Sequence, residues 1–210
     1  MKRILFILTL GILVLCLGCA REIKNLDSRG ENIVCFGDSL TSGEGAERGE
    51  NFPSILAKSL SVPVINAGRP GDTTFSALER LETDVLRQSP LLVILEFGGN
   101  DFLQKIPPED TFKNLEEIIK RIQERKAMVA LCEIRAGMIL KGFSKEYRRL
   151  AKKYKVILIP DLLGRIFTNP SLKSDFIHPN AEGYKIMAGR ILKKIQPVIQ
   201  RNTQLRYKIR

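Results

Sequence analysis

Five short apolar runs alternate along the chain with stretches in which apolar residues recur every three or four positions. The runs begin with Ile33-Val34-Cys35-Phe36 and continue with Val62 to Ala67, Leu91 to Phe97, Ala127 to Ile134 and Val156 to Pro160. Rich in Ile, Val, Leu and Phe, they read as strands. Helical spacing marks Phe52 to Leu60, Thr73 to Gln88, Glu109 to Arg125, Ser144 to Tyr154 and Asn180 to Gln200. The second of these puts Phe75, Leu78, Leu81, Val85 and Leu86 on the inward face, and the last puts Tyr184, Met187, Ile191, Leu192, Ile195 and Ile199 there. Leu91 to Phe97 is apolar except for Glu96, the pattern of a strand buried on both faces. Alternating strands and helices predict an α/β domain with a five-stranded parallel sheet and right-handed crossovers.

That topology sends the end of every strand to one edge. Ser39 follows the first strand, the turn Gly68-Arg69-Pro70-Gly71 the second, Gly98-Gly99-Asn100-Asp101 the third, and Ser174-Asp175-Phe176-Ile177-His178-Pro179 lies beyond the fifth. Ligands of open α/β sheets bind at this carboxyl edge.

The first 20 residues have a different character. Met1-Lys2-Arg3 leads an apolar stretch to Leu17, interrupted only by Thr9 and Gly11, the charged head and short apolar core of an export signal. Cys16-Leu17-Gly18-Cys19-Ala20 resembles a bacterial lipoprotein box, which implies lipidation at Cys19 and a membrane surface as partner; Cys16 stands where that box usually has leucine. Ordinary cleavage after Ala20, or an uncleaved anchor, are the alternatives. The expected organisation is a signal over 1–20, a polar tether over 21–31, one α/β domain over 32–200 and a basic tail over 201–210. The protein is then exported from a bacterial cytoplasm, to be periplasmic or membrane-anchored.

The formal charge is +11, and removing Lys2 and Arg3 leaves +9. Acids interrupt the basic residues along most helices, and no basic patch with interleaved aromatics predicts a nucleic-acid partner. Attraction to an anionic membrane surface fits the signal better. Gly43, Gly45 and Gly49 nearly spell a dinucleotide fingerprint, but the third glycine comes one position late, so no cofactor is expected. Cys35 and Cys132 lie inside apolar runs and read as buried thiols.

The chemistry centres on Ser39. A serine hydroxyl needs a base, and the chain holds one histidine, His178, with Asp175 three positions before it. Proline after His178 favours a loop, within which Asp175 can orient the imidazole. The backbone N–H groups of Ser39 and Gly71 and the side-chain amide of Asn100 would complete an oxyanion hole. Asp38 and Asp101 read as supporting turn residues, and Glu96 as a buried acid with a hydrogen-bond partner near the site. The apolar loop Ala136-Gly137-Met138-Ile139-Leu140 reads either as an acyl pocket, through Met138, Ile139 and Leu140, or as a cap on the core.

Gly37-Asp38-Ser39-Leu40, Gly71, Gly98-x-Asn100-Asp101 and Asp175-x-x-His178 resemble, in order and spacing, the four blocks of the GDSL or SGNH hydrolases. The similarity is greatest to the bacterial arylesterase, lysophospholipase and acyl-CoA thioesterase subgroup. It implies a three-layer flavodoxin-like fold and metal-independent hydrolysis of acyl esters or thioesters, with Ser39, Gly71, Asn100 and His178 in the block roles and Asp175 completing a triad. Two other functions compete: a carbohydrate or cell-wall O-deacetylase on the same scaffold, and a lipoprotein that keeps the fold for binding only.

Overall fold

The structure, a computed structural model, describes residues 22–135 and 141–208. The sheet holds β1 (Asn32–Gly37), β2 (Val64–Gly68), β3 (Pro90–Glu96), β4 (Met128–Cys132) and β5 (Ile157–Ile159), ordered β2-β1-β3-β4-β5. All pairs are parallel, with Cys35 opposite Asn66 on one side and Ile94 on the other. Every residue of β3 and β4 is buried, Glu96 included, as expected of near-continuous apolar strands covered on both faces. The winding reverses direction between β1 and β3, which makes the gap beyond their carboxyl ends the crevice of the sheet.

The helices are α1 (Ser39–Ser42), α2 (Phe52–Ser59), α3 (Thr74–Asp84), α4 (Gly99–Leu103), α5 (Pro108–Glu124), α6 (Lys141–Lys153), α7 (Gly164–Thr168) and α8 (Ala181–Lys208). Helix α2 packs on α8 over one sheet face, while α3 packs on α5 and α5 on α6 over the other, giving three layers. Thr73 and Ser76 form a reciprocal capping box at the start of α3. Cys35 and Cys132 are buried free thiols on strands separated by β3. No helix among the described residues is long and apolar enough to cross a membrane.

One expectation, the inward face of α3, is corrected, and both ends of the described chain pack on the domain. Residues 22–31 dock against it. Asn25 Nδ2 donates to the carbonyls of Gln123 and Ala127 at 2.8 and 3.0 Å, and Leu26 packs on the core. The basic tail is helical as far as Lys208, because Asn202, 1% exposed, donates through Nδ2 to the carbonyls of Leu26 and Ser28 and pins the last turns of α8. The inward face of α3 is also rotated. Phe75 is 62% exposed, and Arg80 is buried in the stripe of Ala77 and Leu81.

The burial of Arg80 has a polar explanation. Its guanidinium donates to Asp72 Oδ2 at 2.5 Å, to Asp84 Oδ2 and Gly37 O at 3.0 Å and to Ala67 O at 2.9 Å. It also lies 4.4 Å above the Phe36 ring. A buried cation is tolerable only when paired and hydrogen-bonded throughout, and this one ties α3 to the ends of β1 and β2.

Candidate active site

Strand β1 ends at Gly37, where a Cβ would stand 2.0 Å from Thr41 Oγ1 and 2.7 Å from Glu96 O, so only glycine lets the first turn of α1 fold back on the strand. Asp38 caps that turn by accepting from the Leu40 N–H at 3.0 Å. Ser39 follows, partly exposed at the carboxyl edge.

The segment between α7 and α8 brings the histidine to it. His178 Nε2 lies 3.0 Å from Ser39 Oγ, and His178 Nδ1 lies 2.7 Å from Asp175 Oδ2. Asp175 Oδ1 accepts from the backbone N–H groups of Ile177 and His178, both at 2.8 Å, so this short turn fixes the carboxylate against its own histidine. Ser174 N–H donates to His178 O at 3.0 Å and closes the loop. The bond to the imidazole, helped by the two backbone donors, holds the Asp175 carboxyl down at about 2.

Asn100 stands at the start of α4, beyond β3. Its side-chain amide donates to Asp72 O at 2.9 Å and, more loosely, to Asp38 Oδ2 at 3.2 Å. Asp101 is buried and accepts from the N–H and hydroxyl of Thr74, the shortest bond being 2.5 Å. It therefore ties the start of α3 to α4. Gly71 has φ +82°, and open space surrounds the position a Cβ would occupy, so backbone conformation rather than packing calls for glycine there.

Two buried acids lie beneath Ser39. Burial pushes Asp38 up to about 6, and burial together with the Asp38 charge raises Glu96 well above the usual carboxylate range. Glu96 Oε2 accepts from Thr41 Oγ1 at 2.9 Å, whereas Oε1 has no partner among the described residues.

A cleft of about 210 Å³ opens on Ser39, Asn100 and His178. Its walls are almost wholly apolar and include Leu40, Phe102, Leu103, Ile134, Leu163, Phe167 and Ile177. Met138, Ile139 and Leu140, the expected acyl pocket, fall outside the described residues. Leu163 and Phe167 escaped the sequence reading, because nothing in their local pattern tells that α7 folds over the crevice. Arg80 had a legible signal: it shares a helical face with Ala77 and Leu81 and has Asp84 one turn on.

The chain is similar to known proteins over most of its length. The profile of the family described as GDSL-like Lipase/Acylhydrolase matches residues 35–186. The "Thioesterase 1/protease 1/lysophospholipase L1" of Escherichia coli K12 is 28% identical over 181 residues, covering 82% of this chain and 87% of that protein. The "Arylesterase" of Vibrio mimicus is 31% identical over 185 residues, covering 81% and 88%. The psychrotrophic esterase EstA from Pseudoalteromonas sp., in a structure inhibited by monoethylphosphonate, superposes with a TM-score of 0.73 at 25% identity, covering 81% of this chain and 99% of that one.

Proposed function

Since the chain belongs to the GDSL-like lipase/acylhydrolase family and is a hydrolase acting on esters, we propose that Ser39, His178 and Asp175 are its catalytic triad and that its substrates are acyl esters with an apolar acyl chain. The observation that carries the proposal is the contact between His178 Nε2 and Ser39 Oγ at 3.0 Å, with Asp175 on the far nitrogen.

In this reading Ser39 Oγ attacks the ester carbonyl as its proton passes to His178 Nε2. Asp175 fixes the tautomer that leaves Nε2 free to accept, and stabilises the imidazolium. The oxygen that becomes negative faces the N–H groups of Ser39 and Gly71 and the Asn100 amide, whose looser bond to Asp38 Oδ2 is the one exchanged for the oxyanion. Collapse expels the alcohol, which takes the proton from His178. Water then attacks the acyl-serine, giving its proton to His178, and the acid leaves as Ser39 regains a proton.

The apolar cleft supports an acyl chain over a sugar acetate, whose hydroxyls would lose hydration without gaining partners. Lysophospholipids, aryl esters and short or medium acyl chains, as thioesters too, follow from the cleft and from the names of the relatives. Residues 1–20 direct export, with Cys19 the lipidation site. Hydrolysis of p-nitrophenyl acyl esters tests the reading, with covalent labelling of Ser39 by a fluorophosphonate. A Ser39→Ala chain that kept activity and label would overturn it.

A further inference from the structure

In a parallel sheet wound with helices, every strand begins and every returning helix ends at the edge opposite the active site. Here that amino edge also gathers both ends of the described chain. The backbone N–H of Lys24 bonds Lys155 O, just before β5, and Asn202 near the end of α8 bonds Leu26 and Ser28. The exposed cations Lys24, Arg29, Lys126, Arg201, Arg206 and Lys208 lie there, with no ion partner among the described residues. Lys155 is paired with Glu22, and the other exposed acids in the same turns are Asp27, Glu31 and Glu124. At the active-site mouth the charges are mixed instead, with Glu44, Glu47, Glu109, Asp110 and Asp175 exposed among Arg48, Arg69, Lys105, Arg135 and Arg165.

We propose that this basic amino edge is a membrane-docking surface that rests on anionic lipid, so that the active-site cleft opens away from the bilayer. Chain length supplies a second argument, which rests on the export and anchoring reading above. From Cys19 to Glu22 is three residues, a reach of at most roughly 11 Å. An anchor at Cys19 therefore holds the amino edge near the headgroups. Strand β3 has seven residues, which at about 3.3 Å each place the catalytic edge roughly 23 Å farther out. Substrate then arrives from the aqueous side, rather than from the leaflet beneath the protein.

The chain contains no tryptophan, so one introduced indole reports its own depth. Tyr207→Trp replaces a 73% exposed aromatic at the basic end of α8, and Phe176→Trp replaces a 91% exposed one at the cleft. The full chain is reconstituted in phosphatidylcholine vesicles with and without phosphatidylglycerol, using brominated lipid as quencher. The Tyr207→Trp chain is expected to be quenched, more so with phosphatidylglycerol, and the Phe176→Trp chain to stay bright. Adding Lys24→Gln, Arg201→Gln and Lys208→Gln should weaken the preferred orientation by about a hundredfold, at about fivefold per charge. Hydrolysis of a soluble p-nitrophenyl ester should be unchanged. Stronger quenching at 176, as when Phe102, Leu103 and Phe176 dip into lipid, or no quenching at either position, overturns the proposal. A parent chain that hydrolyses no ester while the Trp variants show this quenching pattern counts against the triad and leaves the docking surface standing.

Discussion

His178 Nε2 lies 3.0 Å from Ser39 Oγ, although 139 positions separate them along the chain. The contact exists because β1 and the segment before α8 both finish at the carboxyl edge of the sheet, and because Asp175 holds the histidine's own loop in shape. Ser39→Ala and His178→Ala are each expected to lower kcat for a p-nitrophenyl ester by at least about 10³, and Asp175→Asn by about 10³, each with correct folding by circular dichroism. The bond to His178 holds the Asp175 carboxyl down at about 2, so its own titration is expected not to limit activity at pH values well above that, which a pH–rate profile checks.

Asn100→Ala tests the oxyanion role separately. The amide is asked to act on charge that develops only in the transition state, so kcat should fall by about 10² to 10³ while KM stays near the parent value. An equal rise in KM with kcat unchanged would assign Asn100 to ground-state binding.

Leu163 is nearly buried in the wall of the cleft. Leu163→Trp should narrow it, raising KM for long acyl esters about tenfold or more while acetate esters are hydrolysed as before. A profile of activity against chain length measures this.

Arg80→Ala should destabilise the fold by about 3 to 5 kcal/mol, because it leaves the buried Asp72 carboxylate unpaired and strips donors from Gly37 O and Ala67 O. Arg80→Met with Asp72→Asn should recover part of the loss, since neither buried charge remains. Denaturant unfolding reads both.

Asp38 carries a pH prediction. Its carboxyl has an ordinary value of 3.8 and is pushed up to about 6 in the fold, chiefly by burial. The native state therefore binds this proton more tightly than the unfolded chain does. Its contribution is fully present below 3.8 and is lost as pH rises through about 6, so stability falls with pH across that window. Asp38→Asn keeps an acceptor for the Leu40 N–H and cannot titrate, so its thermal midpoint should vary less over the same range.

Local pattern alone specified the five strands, the helices between them and, through four motif turns, the residues that face one edge. These features depend on short-range chemistry: side-chain period, strand-ending glycines and the proline after His178. Distance along the chain hid the rest. That residues 22–31 dock under α8 depends on Asn202 reaching Leu26 and Ser28, a contact between residues 174 or more positions apart, with no periodic signature. Phe75 and Arg80 exchanged expected places because hydropathy ranks an arginine outside, whereas the ends of β1 and β2 present the carbonyls and the carboxylate that accept it. The cleft likewise took Leu163 and Phe167 from α7, an element whose position follows from packing over the crevice rather than from its own residues. Sequence periodicity reports which face of an element is buried; only the folded arrangement determines what that face meets.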